Sequence, residues 1–435
     1  MQKEKAYLNL YKILQVAASP LLPVASLYGL LHPKYKEQFL SRLGTNPPII
    51  KEKGARIWVH AMSLGELNAA TPLIDVLSSS TQGANLIVSA STRSGLKALQ
   101  KRYGEKEIKT TSLPFDLFFI TKRVINKLRP HCFILVETDI WPGFLWELHK
   151  SGCKIILANG SISSRAAKRI SKVPGLAHFL YNSFTRLCMQ SQEDAYRLKK
   201  LGIEDNKIES LGNLKFDIVP PQITPKVRKS LLEITGFPDN STILCAGSTH
   251  APEEQLILEA FLQLRQKCQD LRLIIAPRDV KRAKEVEKLF KKVGLSCKFR
   301  SRPQTSNNHE VFILDTLGEL KQFYSICHIA FVGGSLAPVG GHNLLEPIGY
   351  GRPVIFGPYI ESCKEIGMAL IEKRAGFMVK NEKELMQKIE GLLTNDKMYR
   401  MAKEAAKSFL EPHRGVTSRY VQMIETIVRN DKMPQ

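Results

Sequence analysis

Short apolar runs recur along the chain, each followed by a stretch in which apolar residues return every three or four positions. The runs RIWVHAM (56–62), NLIVSAS (85–91), CFILVE (132–137), KIILANG (154–160) and RLCMQS (186–191) are of strand length and predict strands buried on both faces. Helical patterns such as SGLKALQKRYG (94–104) and DAYRLKKLG (194–202) separate them. Strand–helix alternation calls for a parallel sheet with helices on both faces. Three prolines interrupt the rhythm in FDIVPPQITPKVRK (216–229), which suits a linker. The alternation then resumes with TILCAGS (242–248), LRLIIAPR (271–278), VFILDT (311–316), IAFVGGS (329–335) and PVIFG (353–357). The expectation is two successive doubly wound α/β domains, each with a ligand crevice beyond the carboxyl ends of its strands.

Charge and the N-terminal pattern add to this picture. The 63 Lys and Arg outnumber the 41 Asp and Glu, for a net charge of +22. Such a surplus favours nucleic acid, an anionic membrane face or a phosphorylated substrate without choosing among them. The run from Ile13 to Leu31, ILQVAASPLLPVASLYGLL, carries no charge and is flanked by lysines on both sides. As a straight helix it would reach about 28 Å, against a hydrocarbon core of about 30 Å. Pro20 and Pro23 would kink it. It reads as an N-terminal membrane anchor, spanning or interfacial, with the basic domains on the cytoplasmic side. The 8 cysteines are scattered singly and mostly in apolar settings, the pattern of reduced, buried thiols.

The common chemical motifs are missing from the sequence. There is no GxGxxG after the first strand, no GxxxxGK[ST], no HExxH, no GxSxG and no aromatic-basic RNA-binding signature. Other constellations remain. In SLGE (63–66) the spacing fits a capping box, with Ser63 capping a helix whose Glu66 reaches back. The same Glu66 sits at the end of the first strand, where it would serve as a general base, and Gly65 would allow close approach to the backbone. In LVETDIWPG (135–143), Glu137 and Asp139 follow an apolar strand, and extended alternation would put both on one face. Paired carboxylates in ion pairs are the plainer alternative. Arg165, Lys168 and Arg169 in NGSISSRAAKR (159–169) fit a capped surface helix, and GNLKFD (212–217) would aim Lys215 at the crevice. Arg278 in APRD leaves a strand where a guanidinium would fork onto phosphate. In DTLGELKQFY (315–324), Gly318 and Glu319 form a strand-end turn. The glycine-rich stretch FVGGSLAPVGGHNLLEPIGYGRPVIFG (331–357) contains HNLLEP, read as a helix opening that would hold an anion on its amides. Asn343 and Glu346 would share a helical face there.

In this order the blocks HAMSLGELNAATPLI, LPFDL, VETDIWP, NGSISSRA, GNLKFD, APRD, DTLGEL, FVGGSL and GGHNLLEP resemble the 3-deoxy-D-manno-octulosonic acid (Kdo) transferase family of lipopolysaccharide synthesis. The resemblance runs from about residue 56 to 360. It implies a GT-B fold, two Rossmann-like doubly wound domains facing across a cleft, behind an N-terminal membrane anchor in the cell inner membrane. The implied boundaries are an anchor over 1–45, an acceptor domain over 46–217, a linker over 218–229, a nucleotide-sugar domain over 230–410 and a C-terminal helix over 411–435 returning to the first domain. The implied reaction is inverting transfer of Kdo from CMP-Kdo to a lipid A precursor, without metal or cofactor and without a nucleic-acid partner. Glu66 matches the family's general base. The CMP-binding residues match Pro277, Arg278, Gly318, Glu319, Leu320, Asn343, Leu344, Leu345 and Glu346. Further cleft candidates are Glu137, Lys215, Ser335, Gly340, Gly341 and His342. Asp279 departs from the pattern, since relatives often carry histidine after the arginine. The alternatives left open are another GT-B glycosyltransferase, a nucleotide-sugar epimerase, and a non-enzymatic basic protein of the membrane surface.

Overall fold

Strands that are apolar on both faces stay dry only when helices cover both sides of their sheet, and the chain meets that demand twice. The computed structural model describes residues 2–18, 36–45, 47–50, 54–80, 85–104, 108–137, 139–217, 223–302 and 309–430. The chain divides into two compact units, one made of residues 1–218 with 415–435 and the other of residues 219–414.

In the first unit the described strands are Arg56–His60 (β1), Asn85–Ala90 (β2), Lys109–Ser112 (β3), Cys132–Val136 (β4), Lys154–Gly160 (β5), Arg186–Met189 (β6) and Ile208–Ser210 (β7). Every pairing among them is parallel, in the order β3-β2-β1-β4-β5-β6-β7. The order reverses between β1 and β4, which opens a crevice at their carboxyl ends. Alternation along β1 divides the core: Trp58 packs edge-on against Phe133 and Phe144 at 5.4 Å on one face. Ile57 and Val59 face the other way, into a cluster built with helix Leu64–Ser80 and the C-terminal helix.

That C-terminal helix, Val416–Asn430, belongs to the first unit although about 200 residues separate it from the rest. Val416, Tyr420 and Ile424, spaced four apart, are fully buried in the same cluster. The Asp217 carboxylate accepts from the Gly415 and Thr417 N–H groups at 3.1 and 2.7 Å, satisfying amides at the helix start. The Tyr420 hydroxyl accepts from the buried Asn159 N–H at 3.0 Å.

In the second unit the described strands are Thr242–Thr249 (β8), Leu271–Pro277 (β9), Cys297–Phe299 (β10), Val311–Ile313 (β11), Ile329–Val332 (β12), Val354–Phe356 (β13) and Gly376–Met378 (β14). They too pair only in parallel, in the order β10-β11-β9-β8-β12-β13-β14, with the reversal between β8 and β12. The proline-rich stretch is not irregular throughout. Thr224 caps a helix Pro225–Thr235 whose first residue is the third proline, a position where the missing N–H does no harm.

The apolar run 13–31 lies outside the described residues from position 19 onward. Its first residues belong to helix Gln2–Ala18, which rests on the first unit. Tyr7 donates to the Pro174 carbonyl at 2.9 Å and Tyr11 to Asp116 Oδ2 at 2.7 Å, with Leu8 buried between them. Leu10, Ile13, Leu14 and Val16 are 52–63% exposed. Among the described residues no helix is long and apolar enough to cross a membrane. All cysteines are free, and all but the half-buried Cys268 are buried.

Candidate functional site

Beyond β1 the chain turns through residues 61–63 into helix Leu64–Ser80, and this turn holds Glu66. Ser63 Oγ accepts from the Glu66 N–H at 3.3 Å, while Glu66 Oε2 accepts from the Met62 N–H at 2.7 Å. The capping spacing read in SLGE is therefore real, shifted by one residue, since the carboxylate reaches the amide before the cap. The arrangement pins the side chain at the carboxyl end of the sheet with only 8% of the residue exposed. Burial pushes its pKa up to about 7, against the opposing Met62 amide, and the charges of Glu137 and Asp139 add to the rise. A Cβ at Gly65 would meet nothing closer than Ser63 Oγ at 3.8 Å, so the backbone beside the carboxylate is open.

Glu137 follows β4, across the reversal from Glu66, with left-handed φ of 66°. That conformation ends the extended alternation, so the expected common face of Glu137 and Asp139 does not follow from strand geometry. Each acid has its own partner instead. Lys215 Nζ lies 2.7 Å from Glu137 Oε1, and the buried His60 Nε2 lies 3.3 Å from Asp139 Oδ2. Asp139 is held below the usual carboxylate range: burial opposes this, but bonds from His60 and Trp141 and the charge of Arg42 prevail. Lys215 is placed by the turn Leu214–Asp217, whose Leu214 N–H is taken by Asn159 Oδ1 at 2.9 Å. Asn159 also holds φ of 56° and approaches Glu137 Oε1 at 3.5 Å. His60 and Asn159 thus organise the acidic cluster, and neither was singled out from the sequence. Their only signal was a polar residue closing an otherwise apolar strand.

In the second unit Pro277 ends β9, and the N–H of exposed Arg278 bonds the Thr249 carbonyl at 3.0 Å. Gly318 has φ of 89° and open space around it, so the turn there needs glycine for its backbone alone. Glu319 is engaged: Arg300 donates to its Oε1 at 2.8 and 3.1 Å, and Thr316 donates to Oε2. Leu320 begins a four-residue helix, Leu320–Phe323.

The glycine-rich stretch departs most from expectation. Its helix covers only Leu345–Ile348, and Gly341 lies outside it, its N–H already bonded to the Gly334 carbonyl at 2.7 Å. Upstream of HNLLEP, the loop amides of residues 334–337 are taken by an internal carboxylate. Fully buried Glu253 accepts from Ser335, Leu336 and Ala337 N–H at 3.0, 2.8 and 3.3 Å, and from His250 and Gly334 at 2.9 and 2.8 Å. Ser335 is buried and structural, donating to the Val332 carbonyl and accepting from the Gly357 N–H. The side chains of Leu344 and Leu345 are also buried in the core, leaving only their backbone for a ligand. Asn343 Oδ1 accepts from the Leu345 N–H at 3.0 Å and its amide nitrogen lies 3.5 Å from Glu346 Oε1. Burial raises the Glu346 pKa, opposed by Lys321, Asn343 and Arg278. Gly340 and Gly341, with φ of 104° and 80°, bring His342 against His250, Nε2 to Nε2 at 2.9 Å.

Two doubly wound units, each gathering charged and polar groups at its topological reversal, are the architecture of GT-B type proteins. The comparisons agree on the fold: a UDP-GlcNAc 2-epimerase from Neisseria meningitidis aligns with TM-score 0.57 at 12% identity, over 85% of this chain and all (100%) of that one. Residues 37–218 match the family model described as 3-deoxy-D-manno-octulosonic-acid transferase (kdotransferase), and residues 249–409 match glycosyl transferases group 1. The 3-deoxy-D-manno-octulosonic acid transferase of Chlamydia trachomatis serovar A is 31% identical over 87% of this chain and 88% of its own length. The chain belongs to the 3-deoxy-D-manno-octulosonic acid transferase family. A bifunctional glycosyltransferase/methyltransferase of Fusobacterium nucleatum is 33% identical over 86% of this chain, which spans 58% of that longer protein.

Proposed function

We propose that the protein transfers Kdo, with inversion, from CMP-Kdo to a lipid A precursor, with Glu66 as the general base. The observation that carries this reading is the Glu66 carboxylate, fixed at the end of β1 and poised at a pKa of about 7. A base works best when its pKa lies near the operating pH, because it is then both ionised and able to hold a proton. The acceptor hydroxyl oxygen attacks the anomeric carbon of Kdo as its proton passes to Glu66. The bond from that carbon to the donor phosphate breaks, and its electron pair leaves with CMP. Glu137 and Asp139 keep the base from ionising too readily, and Lys215 limits that effect by neutralising Glu137. On the donor side Arg278 meets the phosphate, since its guanidinium is exposed beside the end of β9. Glu319, locked by Arg300, and Asn343 with Glu346 frame the nucleoside.

An acylated, phosphorylated acceptor is met at a membrane surface. The surplus of +22 suits an anionic leaflet, and Leu10, Ile13 and Leu14 offer apolar side chains to it, on the cytoplasmic face of the inner membrane. The test is to incubate membranes containing the protein with CMP-Kdo and a lipid A precursor and count added sugars by mass, with CMP and UDP as competitors. A product heavier by one or more Kdo units, suppressed by CMP alone, is expected. No mass gain with intact CMP-Kdo present, or inhibition by UDP in place of CMP, overturns the reading.

A further inference from the structure

The sheet of the second unit reverses between β8 and β12, and two histidines meet there. His250 follows β8 directly, and His342 arrives on the glycine-rich loop after β12. Their rings stack at 5.2 Å with planes 12° apart, and the Nε2 atoms lie 2.9 Å from one another. At that distance one nitrogen must donate and the other accept, so the pair shares a proton and cannot carry two charges in this geometry. The contact is built into the backbone. A Cβ on Gly334 would lie 2.9 Å from His342 Nε2, and Glu253 holds both the His250 and Gly334 amides.

The surroundings decide what charge the pair carries. Glu253 is spent on five amides, and Glu254 is spent on Arg282 and Thr249 at 2.8 and 3.0 Å. Glu346 faces Lys321 and Arg278, while Glu361, Tyr359 and Cys363 approach the loop at Gly340 and Gly341. The charged group acting on His342 from the neighbouring strand is Arg278. Burial, His250 and Arg278 together push His342 down to about 4, so the His342 ring by itself is neutral near neutral pH. An arriving phosphate reverses the sign of that field, because its negative charge outweighs the single guanidinium.

We propose that His250 and His342 form a phosphate-binding pair that takes up one proton when the donor's phosphate settles beside Arg278. The shared cation then stands next to the guanidinium and adds a second positive charge where the leaving phosphate gathers negative charge. This rests on the reading of CMP-Kdo as donor.

The test titrates CMP into the full-length protein by calorimetry in buffers of different ionisation heat, near pH 7.5. CMP itself is then mostly dianionic, as its second pKa is about 6. The expected result is uptake of close to one proton per CMP, with affinity rising by up to about tenfold per pH unit as the pH falls toward 7. Cytidine, which lacks the phosphate, should bind without uptake. His250→Gln and His342→Gln, checked for folding by circular dichroism, should each lose the uptake and the extra affinity at low pH. CMP binding to the unaltered protein without proton uptake overturns the pair's role and leaves the donor assignment standing. Uptake that survives in both variants overturns it as well, since the proton would then reside on CMP. Failure of CMP to bind at all, with UDP binding instead, brings down the donor assignment and the pair with it.

Discussion

Replacing Glu66 by Gln should separate catalysis from stability in opposite directions. The amide keeps the shape and can still accept from the Met62 N–H, but it cannot take a proton from the acceptor. Loss of a general base typically lowers rate by about 10²–10⁴-fold. Stability should move the other way. The Glu66 pKa is raised from 4.5 to about 7 on folding, so the native state is penalised for holding it ionised. A carboxyl raised in this way contributes no penalty below the unfolded pKa, and the penalty grows as pH climbs from about 4.5 to 7. Beyond that it levels at about 3 kcal/mol, at about 1.36 kcal/mol per unit. The substitution abolishes the term. The variant should therefore gain on the unaltered protein by about 2–3 kcal/mol between pH 5 and pH 8, or several degrees in melting temperature for a unit of this size. Urea melts at both pH values and a transfer assay with CMP-Kdo make the measurement. A stability gap that stays flat with pH, or transfer above about a tenth of normal, would refute the reasoning that burial and the two nearby acids poise this base.

Lys215→Met leaves the Glu137 charge uncompensated near Glu66, so the acid limb of the kcat/KM profile should move up by about half a unit to one unit; Lys215→Arg should restore it. Arg278→Ala removes an exposed guanidinium, so CMP affinity should fall by about tenfold or more while the melting temperature holds; an unchanged Kd would argue against the donor phosphate lying there. Tyr420→Phe leaves the Asn159 N–H without its partner inside the core, which should cost about 1–3 kcal/mol in urea unfolding. Ile13→Glu with Leu14→Glu, at positions 63% and 58% exposed, should weaken sedimentation with anionic vesicles and leave folding intact.

Much of the sheet architecture was legible because it follows from one local property, strands apolar on both faces. Ile57, Trp58 and Val59 could be read as a covered strand without knowing what covered them. The placement of Glu66 was legible for a similar reason: its capping bonds depend on spacing within a single turn. The groups that orient the acids were not, because their partners are distant in sequence. Asn159 meets Tyr420 across 261 positions, and Glu253 meets the loop at Leu336 across 83. The glycine-rich stretch misled in an instructive way. HNLLEP has the composition of a helix start, but the buried Leu344 and Leu345 draw the backbone into the core, and the helix ends after four residues. Glycine spacing marked the turn; only the structure reveals that the Glu253 carboxylate, distant in sequence, takes the amides of Gly334 through Ala337.

The return of helix Val416–Asn430 to the first unit bears on how the molecule is made. Its Val416, Tyr420 and Ile424 are part of the first unit's core, and Asp217 waits at the end of that unit's earlier segment to receive it. During synthesis the ribosome must release the whole of residues 219–414 before that core can close. The second unit carries all its own strands in one continuous stretch and can fold while the first still lacks a wall. The order of assembly is then the reverse of the order of translation. Glu66, the proposed base, would reach its final surroundings only after the second unit is already in place.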